Sequence, residues 1–93
     1  MKYSTRALAD LDRLSDFLLE HDPLLADRAI DRICEAVFIL KDHPMIGRLV
    51  EGGLRELLIS RGRTGYIALY RFDEVEDVVQ VLSVRHQREA KYQ

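Results

Sequence analysis

The 93-residue sequence contains one cysteine, Cys34, so no disulfide can form within the chain. Cys34 lies in a helical pattern, and we expect it to be a buried small hydrophobe in a reducing cytoplasm. No apolar run approaches the roughly 20 residues that a membrane-spanning helix needs. Residues 1–12, MKYSTRALADLD, carry charges where a signal peptide has its apolar segment. These absences predict one cytoplasmic domain, residues 1–93, that does not associate with membranes.

The sequence also lacks metal-ligand spacing and a strong basic charge. His21, His43 and His86 form no ligand pattern, so we predict neither a metal nor another cofactor. The formal net charge is −2, with most of the acidic residues among the first 42 positions and a basic patch at 55–71. A dedicated nucleic-acid-binding protein is usually basic as a whole. This balance argues against tight, unaided binding to RNA.

Two amphipathic helices are predicted in the first half of the chain. Ser4 or Thr5 can cap the first helix by accepting a backbone N–H bond. Asp22-Pro23 ends that helix and starts the second, which stops near residues 41–47, KDHPMIG. Because the link between the helices is short, we expect an antiparallel hairpin. The two apolar stripes consist of Ala7, Leu11, Leu14 and Leu18, and of Ala26, Ile30, Ile33, Val37 and Leu40.

The hydrophobic period changes towards two in the second half of the chain. Three runs at 54–60, 66–72 and 78–86 are strand-like, and their links are short enough for antiparallel hairpins. Tyr3 is expected in a short first strand. The predicted fold class is α+β, with an N-terminal helical hairpin packed on one face of a mainly antiparallel sheet.

The last predicted strand is apolar on both faces. Val79 and Val81 alternate with Val78, Leu82 and Val84. One layer of helices covers only one face of a sheet, and the other face of an antiparallel sheet is usually polar. Two interpretations remain open. The second face is ordinary apolar surface, or another polypeptide covers it.

Five motifs occur in order along the chain: ALADLDRLSDFL (7–18), HPMIGR (43–48), GLRELLI (53–59), GYIALYRF (65–72) and VLSVRHQREAKY (81–92). Their order and spacing resemble the ParE/RelE superfamily, toxins of bacterial type II toxin–antitoxin pairs. The resemblance spans nearly the whole chain. It implies a helical hairpin on a curved antiparallel sheet, and a cognate antitoxin that wraps the toxin and keeps it inactive.

The resemblance implies one of two activities. RelE-like members cut messenger RNA in the ribosomal A site, whereas ParE-like members block DNA gyrase and lack the nuclease residues. Cleavage by 2′-hydroxyl attack requires a base, an acid and cations on the phosphate. The candidates for these roles are His86, Arg85, Arg88, Tyr92 and Arg55, with Glu56 as a second possible base.

The same residues also have structural interpretations. Arg85 to Tyr92 can be a solvated strand end, with His86 hydrogen-bonded and Tyr92 anchored on the helices. Arg55 and Glu56 can belong to a cross-sheet ion pair that orients the strand. If the protein acts by binding instead, the candidate contacts with the antitoxin or the target are Arg55, Arg61, Arg71, Val79, Val81 and Arg85.

The distribution of lysine separates the two activities. RelE-like nucleases typically carry a dense basic surface, whereas this chain has no lysine between Lys41 and Lys91. The leading hypothesis is therefore a ParE-like toxin that inhibits gyrase. A ribosome-dependent endoribonuclease is the alternative. A third possibility is a toxin-like domain without activity, which serves as antitoxin partner and co-repressor.

Overall fold

The computed structural model describes residues 1–59 and 65–87; Arg61, Arg88 and Tyr92 lie outside these ranges. The described chain forms two helices and one sheet. A turn of 3₁₀ helix, Ile39–Lys41, follows the second helix, and another, Glu51–Gly53, precedes the third strand. In chain order the elements are β1 (Lys2–Tyr3), α1 (Thr5–His21), α2 (Pro23–Phe38), β2 (Arg48–Leu49), β3 (Arg55–Ile59), β4 (Tyr66–Asp73) and β5 (Val78–His86).

α1 begins and ends, and α2 begins, where the sequence predicts, whereas α2 ends at Phe38, before the predicted stop near residues 41–47. Ser4 caps α1: its Oγ accepts a hydrogen bond from the Ala7 N–H at 3.0 Å. The Asp22 N–H donates to the Leu18 carbonyl at 2.6 Å, and α2 starts at the following residue, Pro23. No helix within the described ranges is long and apolar enough to span a membrane.

The five strands form one sheet in the order β1-β5-β4-β3-β2. β1 runs parallel to β5, and every other pairing is antiparallel. This arrangement confirms the predicted α+β fold with a mostly antiparallel sheet. The expected short strand at Tyr3 is present, and the three predicted runs correspond to β3, β4 and β5.

The core lies between the helical hairpin and one face of the sheet. Alternate residues of β4 are buried there, at Tyr66, Ala68 and Tyr70. The buried cluster is completed by Ala7, Leu14, Ile33, Val37 and Leu40 from the helical half, and by Ile59, Val79, Val81 and Val84 from the sheet.

The prediction that Val79 and Val81 contact an antitoxin or target is wrong for the folded chain. Val79 is 4% exposed and Val81 is fully buried, because both side chains face the helices. A β-bulge then changes the alternation along β5. Leu69 pairs with Ser83 and Tyr70 with Val81, so Leu82 is the extra residue. This shift places Val84 on the core side as well.

One edge of the sheet is closed by α1. Beyond β1, the Val84 N–H donates to the Asp10 Oδ2 at 2.9 Å, and the Arg13 Nη2 donates to the Val84 carbonyl at 3.5 Å. The Ser4 N–H and Oγ donate to the carbonyls of Val81 and Leu82. Side chains at the start of α1 and within it therefore form hydrogen bonds with backbone groups that would otherwise belong to an open strand edge.

Cys34 is only partly buried, in contrast to the expectation of a fully buried hydrophobe. Its side chain lies near the hydroxyl of Tyr3. Burial, with a smaller contribution from Cys34, raises the pKa of Tyr3 from 10.0 to about 12. The pair connects β1 to α2 across the core.

Candidate functional site

The hydroxyl of Tyr70 holds the loop between α2 and β2. It donates to the Pro44 carbonyl at 2.7 Å and accepts from the Gly47 N–H at 2.8 Å. Burial raises the pKa of Tyr70 above its usual value, while the Gly47 N–H and the nearby Arg55 oppose the rise. The HPMIGR motif is therefore fixed onto the sheet by one buried phenol.

Arg55 also holds the loop between α2 and β2. Its Nη1 donates to the Gly47 carbonyl at 2.9 Å and to the Met45 carbonyl at 3.3 Å. Glu56 forms its ion pair with Arg48, with 2.7 Å between Oε1 and Nη2. A cross-sheet ion pair is thus present as expected, but Arg48 supplies the cation while Arg55 binds loop carbonyls.

The described part of the terminal nuclease cluster divides between the two faces of the sheet. Arg85 pairs with Ile67 and His86 with Tyr66, and consecutive strand residues point in opposite directions. His86 packs edge-on against the buried Tyr66, with 5.3 Å between the ring centroids. Arg85 lies on the other face. Arg88 and Tyr92 are outside the described residues.

Arg55 is distant from His86. It pairs with Tyr70, whereas His86 pairs with Tyr66 four positions away along β4. Four residues of extended strand span about 13 Å, and β3 and β5 also flank β4 on opposite sides. The geometry therefore does not bring these two side chains to one phosphate.

The sheet face opposite the helices carries an apolar groove beside β3. We name it the β3 groove; its volume is about 510 Å³. Ile46 and Leu58 are 59% and 50% exposed. The side chain of Arg48 is 79% exposed. The lining residues are Ile46, Gly47, Arg48, Glu56, Leu57, Leu58, Ile67 and Gln87.

A second, more polar depression lies on the same face near β1. Its volume is about 300 Å³, and Arg71 donates to the Gln80 Oε1 there at 2.8 Å. Lys2, Asp73 and Glu76 also line it, so its charges are mixed. Arg71 is exposed and accessible to a partner, as a contact residue must be.

Ile46, Arg48 and Leu58 were not predicted from the sequence as surface residues of this face. Leu58 stands two positions after Glu56 in β3, so strict alternation would have placed both on the outer face. Ile46 and Arg48 carry no periodic signal, because they lie in a loop and a two-residue strand. Their positions depend on the contacts of Tyr70.

The fold and these surfaces define a class of protein: a small α+β domain with one sheet face covered by helices and the other carrying the β3 groove and the Arg71 depression. The model of the family described as the ParE toxin of type II toxin–antitoxin systems, parDE, matches residues 1–91. The chain belongs to this family and is the toxin of a toxin–antitoxin system, which implies an antitoxin partner.

Individual relatives agree with this assignment. The chain is 38% identical over 86 residues to Toxin RelE3 of Caulobacter vibrioides, covering 92% of this chain and 91% of the relative. Toxin RelE2 of the same organism is 32% identical over 84 residues, covering 90% of each. A solved structure, the chromosomal ParDE TA system from P. aeruginosa, superposes with a TM-score of 0.77 at 28% identity, covering 91% of each chain.

Proposed function

We propose that this toxin arrests growth by binding DNA gyrase in the bacterial cytoplasm, and that its cognate antitoxin prevents this binding. The family match over residues 1–91 supports a ParE-like mode of action. In this proposal the toxin works as a stoichiometric protein ligand and needs no catalytic group of its own.

The separation of the described nuclease candidates is the observation that carries the proposal. Arg55 is engaged with the carbonyls of the 45–47 loop, and Arg85 and His86 lie on opposite faces of β5. General acid–base catalysis requires side chains within hydrogen-bond reach of one reacting group. This arrangement favours binding over RNA cleavage.

The charge distribution supports the same conclusion. The chain has a formal net charge of −2 and no lysine between Lys41 and Lys91. Entry into the phosphate-rich ribosomal A site would be opposed by the long-range repulsion of an acidic protein. Binding to a protein target does not require a basic surface.

A DNA supercoiling assay with the purified full chain tests the proposal. We expect inhibition of gyrase at stoichiometric toxin, and its reversal when the toxin is first mixed with its antitoxin. The matched control is a His86→Ala variant, which should inhibit as the parent does because stoichiometric binding needs no catalytic imidazole. Full supercoiling at saturating toxin would rule out gyrase as the target.

A ribosome-dependent endoribonuclease is the second candidate, because the two Caulobacter relatives described above carry RelE names. Primer extension on messenger RNA after induction provides its test. The nuclease hypothesis requires new cleavage sites that disappear in both Arg85→Ala and His86→Ala. An exposed arginine of α2, Arg32, supplies the Arg32→Ala control.

The antitoxin is proposed to cover the outer sheet face. Ile67, Leu69 and Leu82 are partly exposed there in place of the buried Val79 and Val81. Arg71 and Arg85, which remain candidate contacts, offer cations for antitoxin carboxylates. Arg71→Glu should weaken the complex by charge repulsion, with Arg32→Glu as the control, and equal affinities would remove Arg71 from the interface.

A further inference from the structure

The two edges of the sheet differ in how far they are closed. At the β5 edge, Ser4, Asp10 and Arg13 form hydrogen bonds with backbone groups of Val81, Leu82 and Val84. At the opposite edge, β2 has only two residues and pairs only with Arg55 and Glu56. Beyond Glu56, none of the described residues pairs with β3 on this edge, while β4 continues to pair with it on the other side.

The direction of the open backbone groups follows from the ladder. The Val50 N–H donates to the Leu54 carbonyl at 2.8 Å, which sets the Leu54 backbone towards the β2 side. In an antiparallel ladder, alternate residues point their N–H and C=O groups to the same side. Glu56 and Leu58 therefore face the β2 side as well. Glu56 is opposite Arg48, whereas Leu58 lies past the end of β2.

The β3 groove adjoins this open position. Before β2, the chain turns away from the sheet, because the Ile46 N–H donates to the His43 carbonyl at 3.2 Å. The turn leaves the space between Ile46 and Leu58 that forms the groove, with both side chains about half exposed. Open strand groups and an exposed apolar groove thus occur side by side.

These features select an extended segment as occupant. An added strand satisfies edge N–H and C=O groups and places alternate side chains into adjoining pockets. A helix seated in the groove would leave the Leu58 groups unpaired by protein. Charge defines the chemistry further: of the two described charged residues that line the groove, Arg48 has a side chain that is 79% exposed, whereas that of Glu56 is 14% exposed. The exposed Arg48 guanidinium at the rim has N–H donors beyond its contact with Glu56.

We propose that an extended, acidic segment of the antitoxin binds the β3 edge, pairs with the Leu58 backbone, places an apolar side chain in the β3 groove and directs a carboxylate to Arg48. This inference rests on the proposed toxin function. It adds a docking site that is separate from the Arg71 depression. When the acidic segment binds, its carboxylate replaces water around the Arg48 guanidinium, and the core is unchanged.

Amide hydrogen exchange on the full chain, free and in complex with its antitoxin, tests backbone pairing. We expect exchange at the Leu58 amide to slow about tenfold or more in the complex, as for a newly formed strand hydrogen bond. Unchanged Leu58 exchange, with protection confined to other amides or to the helices, would mean a helical or differently placed partner and overturn the proposal. Protection that rises with concentration in the free chain would identify a second copy instead, and also overturn it.

Binding measurements test the side-chain contacts. Leu58→Asp, Ile46→Asp and Arg48→Glu should each raise the Kd for the antitoxin by about tenfold or more, because they place negative charge against an acidic segment. Val75→Asp is the control, at an exposed valine in the β4–β5 turn, and should leave the Kd unchanged. If none of the three groove variants differs from Val75→Asp, the proposed site is wrong. Circular dichroism verifies that each variant folds.

The gyrase assay without antitoxin separates this proposal from the proposed function. The result of the gyrase assay for the parent chain does not depend on the docking contacts. A toxin that fails to inhibit gyrase while its Leu58 amide is protected by antitoxin would refute the gyrase target and retain the docking site. Inhibition of gyrase, together with no protection of the Leu58 amide by antitoxin, would support the gyrase target and refute the docking site.

Discussion

The Gly47 amide donates a hydrogen bond of 2.8 Å to the hydroxyl of Tyr70, which is fully buried in β4. The contact joins residues 23 positions apart and fixes the loop that forms one wall of the β3 groove. Stability of the fold and shape of the candidate docking surface are therefore coupled at this pair.

Gly47→Ala should destabilise the protein by about 2 kcal/mol or more, because overpacking of a well-packed site forces its neighbours to move. An added Cβ would lie 2.6 Å from the Tyr70 Cε1 and hydroxyl oxygen, and 2.8 Å from the Glu56 carbonyl oxygen. Urea unfolding measures the change.

Gly52→Ala provides the control for Gly47→Ala. Gly52 has φ +73° and no atom within 4 Å of an added Cβ, so only backbone strain applies. Its cost should be near 1 kcal/mol. Equal losses at the two positions would show that the Tyr70 contact does not restrict Gly47.

Tyr70→Phe should cost about 1–2 kcal/mol, because it leaves the Pro44 carbonyl and the Gly47 N–H without their buried partner. We expect the antitoxin Kd to rise as well, since the loop wall of the groove loosens. Tyr66→Phe is the matched control: within the described residues, no hydrogen bond to the Tyr66 hydroxyl is formed, and its stability should change less. A larger loss at Tyr66 would contradict the anchoring role of Tyr70.

Local signals in the sequence predicted the boundaries of the fold well. The Asp22-Pro23 step combines a residue that avoids the α region with a proline suited to a helix start, so it determines the hairpin link without tertiary information. Alternating runs similarly located β3 to β5. The resemblance to the ParE/RelE superfamily supplied the order of these elements and the existence of a partner.

The orientation of β5 could not be predicted in the same way. A strand that is apolar on both faces gives no indication of which set of residues faces the core, and a one-residue shift exchanges the sets. Val79 and Val81 were therefore assigned to the wrong face. The bulge at Leu82 is a second obstacle, because it depends on pairing with β4.

The contacts of Arg55 were also beyond local inference. Its neighbour Glu56 suggested a role in an ion pair, but the carbonyls that Arg55 binds belong to a loop eight and ten positions earlier. That loop lies within reach only because Tyr70 holds Pro44 and Gly47. Arg48 became the partner of Glu56 for the same reason.

Alkaline pH should destabilise the chain in the window from pH 10 to about 12. The pKa of Tyr3 is 10.0 when unfolded and about 12 when folded, so within this window the unfolded state loses a proton that the folded state retains. The stabilising contribution is complete below pH 10 and is lost as the pH rises through the folded pKa. Burial raises the pKa of Tyr66 and Tyr70 in the same direction.

Tyr3→Phe isolates the contribution of Tyr3. Urea midpoints are compared below and within the alkaline window for the variant and the parent. The variant should lose less stability between the two conditions, because it has no phenol at position 3 to ionise. An identical pH-dependent loss would mean that Tyr3 ionises equally in both states.

Asp10→Ala should open the β5 edge. The substitution removes the acceptor of the Val84 N–H and the partner that lies 3.6 Å from Arg13. Leaving a partly buried backbone donor unpaired should reduce stability by about 1–3 kcal/mol. The exposed edge should also promote self-association, since open strand edges pair with other chains.

The comparison with Asp12→Ala isolates this effect, because Asp12 is exposed on the same helix. Unfolding measurements and sedimentation at increasing concentration report stability and association separately. Asp10→Asn refines the test: its side-chain oxygen can still accept from Val84, so much of the edge closure should remain while the charge interaction with Arg13 is lost. If Asp10→Asn associates as readily as Asp10→Ala, the charge and not the backbone hydrogen bond keeps this edge closed.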